Sequence, residues 1–245
     1  MIVFQHRGPT LIRLSVIYAK NIQTYSYPAN FDSRLEALLI NRKPELNPGE
    51  EKWRKSVRNM LRHGRFKPTG RAKPASEYLL GAARKGFFPR INSIVDICNY
   101  ISLKYLLPVS IWDVDLSRTD HFLVRLGKPE ESYIFTQAGQ HIDLEDLVVG
   151  CAVQDLDSPD DEGTPIVNPV KDSQETKTHD NSDHITAIIY APLLSDQTSN
   201  QEIDQTLPDA TDEFVQLISH CGDAVSTGSG ILGPGMKLEL KAVLG

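Results

Sequence analysis

The sequence predicts an α+β fold in which N-terminal helices pack on a mixed β-sheet. Segments in which apolar residues recur at helical spacing concentrate between residues 33 and 103, and short segments rich in β-branched and aromatic residues follow from residue 109. Helices that come before strands as a block, instead of alternating with them, are typical of α+β folds. The chain shows no internal repeat, so we expect one compact unit.

The helical half opens with a strand over residues 11–18 and continues with four helices. The apolar spacing places them at residues 33–39, at residues 51–63, from Pro74 to Gly86, and from Ser93 to a stop before Pro108. Pro74 suits the first position of its helix, where its missing N–H has no helical partner. Ser93 and Asp96 predict a capping pair at the start of the fourth helix.

The second half is predicted to be mostly strands. They are short and lie at residues 109–114, 121–126, 133–136, 147–153 and 185–191. Polar, acidic loops are expected at residues 158–162 and 194–208, then a closing helix over residues 210–221 and a last strand over residues 237–243.

The glycine-rich segment 228–233 has the spacing of a dinucleotide-binding motif. It follows a helix instead of a strand, and Pro234 and Gly235 stand where a phosphate-binding helix should begin. We therefore predict a flexible loop there and no cofactor.

Composition limits the class of protein. The chain has 245 residues and a hydrophobic fraction of 40%, which is enough for one large core. Its cysteines, Cys98, Cys151 and Cys221, are odd in number and far apart, so they predict neither a disulfide framework nor a metal site. No run approaches the roughly 20 apolar residues of a membrane span, and the N-terminus lacks the apolar region of a signal peptide. We expect a cytoplasmic protein that does not associate with membranes.

Charge is distributed unevenly along the chain. Residues 1–100 contain 18 Lys and Arg against 7 Asp and Glu, whereas the remaining residues contain 8 against 25. The basic residues concentrate between residues 51 and 90, and such a block can follow a phosphate backbone. The candidate RNA-binding residues are Lys52, Lys55, Arg58, Arg62, Arg65, Arg84 and Arg90. The alternative is a solvated helix face that docks on the acidic half of the same chain.

Two polar constellations are expected to converge on a pocket. Asn92, Asp96 and Asn99 share one stripe of an otherwise apolar helix, and buried polar groups need partners in the protein or in a ligand. The strand after it, residues 110–115, supplies an opposite wall. The alternative is that the stripe ties down the following loop.

Segment 168–178 is also rich in functional side chains. Lys171, Asp172 and Ser173 are candidates to bind an anion or position a water, although such loops are more often merely hydrophilic. Segment 179–184 contains His179 and His184 with two carboxylates. It lacks helical spacing, so we expect a solvated loop and no metal site.

Read in order, these segments resemble the B3/B4 module of the bacterial phenylalanyl-tRNA synthetase β chain. That module carries a stretch [RP]INNVVDITNYVMLE followed by QPLHAFDLD. Here the chain reads PRINSIVDICNYISLK over residues 89–104 and LPVSIWDVD over residues 107–115, without a gap. The resemblance covers about residues 70–192. It implies the B3/B4 fold, with an N-terminal extension at 1–70, a B3/B4 core at 71–195, and an acidic loop, closing helix and tail at 196–245.

The resemblance also implies a function, because the synthetase module hydrolyses tyrosine wrongly esterified to phenylalanine tRNA. The family's Thr-Asn pair falls on Cys98 and Asn99, which keeps the amide and loses the hydroxyl. Its pocket His falls on Ser110. Its tyrosine-recognising carboxylate falls within residues 185–191, which contain no Asp or Glu. A pocket without that acceptor cannot favour a phenol, so specificity for tyrosine does not follow.

Our hypothesis is a free-standing, tRNA-binding member that hydrolyses mischarged aminoacyl-tRNA in trans. An aminoacyl ester is already activated, so a positioned water and a few dipoles suffice to cleave it. The candidate catalytic residues are Asn99, Ser110, Lys171, Asp172 and Ser173. The candidate substrate-binding residues are Asn92, Asp96, Cys98, Trp112, Asp113 and Asn168.

Two alternatives stay open. The first is a non-catalytic binder of an amino acid or similar small metabolite in the same pocket, and the second is a protein-interaction module that uses the acidic region 143–213. The sequence does not indicate the amino acid, the tRNA or the oligomeric state.

Overall fold

The computed structural model describes residues 1–193 and 201–244. Within them the helices are α1 (Phe31–Arg42), α2 (Pro48–Met60), α3 (Ala75–Arg84), α4 (Ser93–Tyr105), the short α5 (Val114–Ser117) and α6 (Gln201–Ile218). The strands are β1 (Ile2–His6), β2 (Ile12–Lys20), β3 (Val109–Asp113), β4 (His121–Leu126), β5 (Ser132–Ile134), β6 (His141–Asp143), β7 (Val148–Val153), β8 (Thr164–Val167), β9 (His184–Pro192), β10 (Ser226–Leu232), β11 (Lys237–Leu240) and β12 (Val243–Leu244).

The predicted α+β class is confirmed, but the strands form two large sheets instead of one. The inner sheet has the order β12-β10-β2-β9-β3 and is antiparallel throughout. The outer sheet has the order β11-β1-β4-β7-β8 and is mixed, because β1 and β4 run parallel. A separate hairpin pairs β5 with β6.

The elements stack as a helical layer, the inner sheet and the outer sheet. One face of the inner sheet meets the outer sheet where Trp112 packs on Phe4 and Phe122, with ring centroids 6.0 and 5.2 Å apart. The other face meets α6, where Thr211 Oγ1 donates a hydrogen bond to Ser15 Oγ at 2.7 Å. A smaller core on the far side of the outer sheet is covered by Tyr133 of the hairpin.

The N-terminal residues are part of this core. Strands β1 and β2 occupy interior positions of the two sheets, and β2 pairs with β10 from the far end of the chain. The three predicted segments therefore share one hydrophobic core, while the boundaries at residues 70 and 195 stay a prediction.

The loop predicted over residues 194–208 was wrong in its second part, and residues 194–200 lie outside the described residues. Helix α6 begins at Gln201 and includes Pro208. Its buried residues Leu207, Ala210, Phe214 and Leu217 recur at helical spacing. Their burial against the inner sheet outweighs the cost of a proline without an N–H donor.

The glycine-rich segment 228–233 is not a flexible loop, because most of it forms β10. Gly228 lies so close to the β11–β12 connection that a Cβ atom there would stand 2.5 Å from the Lys241 carbonyl oxygen. Gly228 thus permits close packing of backbone, which gives this glycine of the segment a structural reason.

Replacing Gly228 by alanine should lower the free energy of unfolding by about 1–3 kcal/mol, because backbone must move to admit the methyl group. Gly230→Ala is the matched control, since a Cβ atom there meets only Leu238 and Leu240 side chains, at 3.0 Å or more. Urea denaturation of both variants tests this, and equal losses would contradict it.

Candidate functional site

The connection between β8 and β9 runs along the open edge of β3. The Ile111 N–H donates to Asp172 Oδ2 at 3.3 Å, and the Asp113 N–H donates to the Thr176 carbonyl oxygen at 2.9 Å. An edge strand presents unpaired N–H groups, and this connection satisfies two of them. The structure therefore brings segment 168–178 against the strand 110–115, a contact that the sequence analysis did not predict.

A buried polar network fills the space behind this edge. Ser110 Oγ donates to the Asn168 carbonyl oxygen at 3.0 Å, and Tyr190 OH donates to Ser110 Oγ at 3.3 Å. The Asn168 side chain donates to Tyr133 OH, which itself donates to the Lys171 carbonyl oxygen at 2.7 Å. We call these residues, Ser110, Tyr133, Asn168, Asp172 and Tyr190, the Asp172 cluster.

The carboxyl of Asp172 is the unusual group of the cluster. The residue keeps some solvent exposure, yet burial around its carboxyl raises the pKa from 3.8 to about 7. The nearby Ser110 hydroxyl and hydrogen bonds from the Ile111 and Asn168 N–H groups lower the pKa of Asp172 but do not offset burial. Asp172 therefore changes protonation near neutral pH, as an acid–base group would need to.

The thiol of Cys98 lies beside this carboxyl. Burial, with the charge of Asp172 as a second cause, raises the pKa of Cys98 well above its usual value. The thiol is therefore neutral at physiological pH and is not an activated nucleophile. Cys98 itself is buried in the main hydrophobic core.

Asn99 follows Cys98 on α4 and is half-buried. Within the described part of the chain, no hydrogen bond to its side-chain amide is present. The amide is therefore free to contact a ligand, although no contact links it to the Asp172 cluster.

The other polar residues of α4 have structural partners. Asn92 is the N-cap of α4, and its side chain accepts a hydrogen bond from the Val95 N–H at 3.0 Å. The predicted Ser93–Asp96 capping pair was wrong, since Ser93 Oγ donates to the Gln23 carbonyl oxygen instead. Asp96 is fully buried and accepts from Tyr27 OH at 2.9 Å and Arg90 Nε at 2.5 Å. These contacts favour the alternative in which the stripe ties down neighbouring loops.

Three further candidates also lie outside the Asp172 cluster. Trp112 is buried between the sheets, and its indole N–H has no hydrogen-bond partner among the described atoms. Asp113 caps α5 by accepting from the Asp115 and Leu116 N–H groups. Ser173 Oγ accepts from the Glu175 N–H at 3.2 Å in a local turn. The binding or catalytic roles predicted for them have no support from these contacts.

Lys171 points away from the cluster into a cleft of about 890 Å³. The connection between α2 and α3, which includes a 3₁₀ turn at Gly70–Ala72, forms one wall, and the β5–β6 hairpin forms the other. The charged and aromatic lining residues are Arg65, Phe66, Lys67, Arg71, Phe135, His141, Asp143, Glu145 and Lys171. Segment 168–178 thus contributes Asp172 to the Asp172 cluster and Lys171 to this cleft.

The seven candidate RNA-binding residues fall into two groups. Arg58, Arg84 and Arg90 form ion pairs with Glu77, Glu45 and Asp96, respectively. Lys52, Lys55 and Arg62 are exposed, and Arg65 keeps 79% of its side chain exposed although it pairs with Glu145. The second group is the one whose charge is available to a partner.

Segment 179–184 is a mostly exposed loop up to residue 183, as predicted, and only its last residue belongs to a strand. His184 begins β9, with Nδ1 2.8 Å from Asp115 Oδ1 and Nε2 2.9 Å from Tyr18 OH. Among the described residues, no group of three His, Cys, Asp or Glu side chains is placed to hold a metal ion. Residues 1–193 and 201–244 also contain no helix long and apolar enough to cross a membrane.

Sequence reasoning missed Tyr133 and Tyr190. Tyr190 lies in a mostly apolar strand and Tyr133 in a three-residue strand, and in both places a tyrosine is readily taken for an ordinary core residue. The available signal was that a buried phenol needs a hydrogen-bond partner.

A comparison with protein families gives a match. The family model for the B3/4 domain matches residues 68–219, more than half of the chain. This region contains α3, α4, the Asp172 cluster and α6, and so extends beyond the predicted limit at residue 192. No curated protein matches the chain.

Proposed function

Because the chain belongs to the B3/4 domain family, we propose that it binds tRNA and hydrolyses a mischarged aminoacyl ester in trans. In the phenylalanyl-tRNA synthetase β chain this domain is associated with tRNA binding and editing. The observation that carries the proposal is the Asp172 carboxyl, whose pKa of about 7 suits a general base at neutral pH.

In the proposed reaction a water molecule attacks the ester carbonyl carbon while Asp172 accepts one of its protons. The tetrahedral intermediate then collapses, the ester C–O bond breaks, and the proton passes to the departing ribose oxygen. Ser110 and the backbone around Asp172 hold the carboxyl in place. Asn99 offers an unpaired amide to the carbonyl oxygen or to the amino acid.

Exposed cations on α2 support the tRNA-binding part. Lys52 and Lys55 lie one turn apart on the solvent face of α2, whereas Val57 and Met60 are buried on the opposite face. Arg62 follows the helix end on the exposed side. Such a stripe can contact successive phosphates.

The triple variant Lys52→Glu, Lys55→Glu, Arg62→Glu should bind tRNA about tenfold or more weakly. The slope of log affinity against log salt should fall by about 2–3 units, one for each lost phosphate contact. Arg58 stays unchanged because its pair with Glu77 joins α2 to α3. Lys43→Glu is the control, and unchanged tRNA affinity in the triple variant would remove α2 from the interface.

The activity is tested with a panel of correctly charged and mischarged tRNAs. We expect turnover of one mischarged species by the wild type and its loss in Asp172→Asn. If the wild type turns over no species, the hydrolase proposal fails.

One observation favours a second candidate, the non-catalytic binding of an amino acid or similar metabolite. The hydroxyl of Ser110 and the carboxyl of Asp172 already make internal hydrogen bonds. Such bonds suit a pocket that binds a ligand but does not catalyse a reaction. Calorimetric titration with free amino acids distinguishes this candidate, since binding without turnover of any charged tRNA would support it.

A further inference from the structure

The cleft lined by Lys171 has more positive than negative charge. Four cations, Arg65, Lys67, Arg71 and Lys171, face two carboxylates, Asp143 and Glu145. Glu145 is engaged by Arg65, with Oε2 and Nη1 2.7 Å apart. Within residues 1–193 and 201–244, no ion pair is present for Lys67, Arg71 or Lys171.

Lys171 and Arg71 are close enough to influence each other. The ammonium of Lys171 lies 4.0 Å from the centroid of the Phe135 ring. Burial and then the positive charge of Arg71 lower the pKa of Lys171. Two cations that repel each other at a cleft wall, neither of them in an ion pair within the described residues, are stabilised by an anion that enters.

The cleft also has an apolar side. Phe66, Phe135 and Ile142 are only partly buried where they line it, and aromatic rings are the usual partners of nucleobases. Its volume of about 890 Å³ far exceeds what a lone phosphate needs and falls in the range of small-molecule sites.

We propose that this cleft binds a nucleotide, with the phosphate between Arg71 and Lys171 and the base against Phe66, Phe135 and Ile142. The site is separate from the Asp172 cluster, and its ligand need not be hydrolysed. The same chemistry is offered by a free nucleotide and by one unit of single-stranded RNA.

Calorimetric titration of the full chain at low salt measures the binding of AMP, inorganic phosphate and adenosine. Fluorescence anisotropy measures the binding of a labelled six-nucleotide single-stranded RNA. The Arg71→Ala variant should bind AMP and the RNA about tenfold more weakly. The Phe135→Leu variant should bind AMP about fivefold more weakly than the wild type and bind inorganic phosphate with unchanged affinity. Lys85→Ala, an exposed lysine at the end of α3, is the matched control and should behave as wild type.

The probes distinguish the two sources of the ligand. RNA binding that AMP displaces and Arg71→Ala weakens supports an RNA site, and AMP binding without RNA binding supports a free-nucleotide site. Equal affinity of wild type and Arg71→Ala for every probe, or no binding of any probe at millimolar concentration, would overturn the proposal. AMP binding is measured without hydrolysis, so the test of this site can still be interpreted if the protein proves to have no deacylase activity.

Discussion

The Asp172→Asn variant should lose about 10²- to 10⁴-fold of the proposed deacylation rate, because an amide cannot accept the proton from the attacking water. The wild-type rate should rise with pH through about 7 and then level off, as the carboxyl loses its proton. Any residual rate of the variant should lack this rise. Rates measured between pH 5.5 and 8.5 on the same charged tRNA test the prediction.

Asp157→Asn is the matched control, since Asp157 is an exposed carboxylate on the loop after β7. Its rate and pH profile should equal those of the wild type. A wild-type profile without a rise near pH 7, or full activity of Asp172→Asn, would rule out Asp172 as the base.

Stability separates a catalytic role of Asp172 from a structural one. A carboxyl whose pKa is raised from 3.8 to about 7 by folding binds its proton more tightly in the folded state. The free energy of unfolding therefore falls as pH rises from about 4 to 7, by roughly 4 kcal/mol at most, and is constant above. We expect Asp172→Asn to be at least as stable as wild type at pH 8, where its neutral side chain avoids this cost. Clear destabilisation at pH 8 would indicate that the ionised carboxyl supports the fold.

The Glu213→Gln variant should be about 2–4 kcal/mol less stable than wild type at pH 7. Glu213 is a buried residue of α6 that joins this helix to α1 and α4. Its carboxylate accepts hydrogen bonds from Arg34 at 2.5 Å, Lys104 at 2.7 Å and Tyr105 OH at 2.7 Å. A neutral amide leaves both cations without their counter-charge. The loss stays below that of a fully buried pair because Arg34 and Lys104 keep 37% and 38% of their side chains exposed.

The pH dependence of this effect follows from the pKa of Glu213. Burial acts to raise that pKa, but the hydrogen bonds from Lys104 and Tyr105 outweigh it, and the pKa is lowered. Stability from the carboxylate is therefore present above pH 4.5 and is lost as pH falls through the lowered folded-state pKa. Urea denaturation at pH 7 and pH 3 should show the deficit of Glu213→Gln shrinking in acid. Glu239→Gln, an exposed glutamate on β11, should show no deficit at either pH.

The sequence predicted those elements whose side chains carry a clear period. Helix α4 and strand β3 were predicted near their observed bounds. Apolar residues recur about every 3.6 residues in α4, and β3 contains the β-branched or aromatic Val109, Ile111 and Trp112. Strand β10 was missed because glycines supply no side chains from which to read alternation, and its longer partner β2 is distant in sequence.

The candidate site was predictable only in part, for a similar reason. Ser110 and Asp172 were both named as candidates with the family resemblance, and they do lie together, but the path of segment 168–178 along β3 was not predicted. The nucleotide cleft was not expected, because it depends on where the β5–β6 hairpin folds over Arg71 and Lys171. Neither residue has a local pattern that distinguishes it from other solvated lysines and arginines.

The placement of β1 and β2 has a consequence for folding. Both sheets are completed by strands from opposite ends of the chain, β1 with β11 and β2 with β10. Pairings of such long sequence separation form slowly, because loop-closure entropy must be overcome before they contribute stability. During synthesis, the edge of β2 that pairs with β10 therefore stays without its partner until residue 232 has left the ribosome. The matched region 68–219, expressed alone, would lack β2 and leave one edge of β9 unpaired. We therefore expect that this region does not fold independently of the rest of the chain.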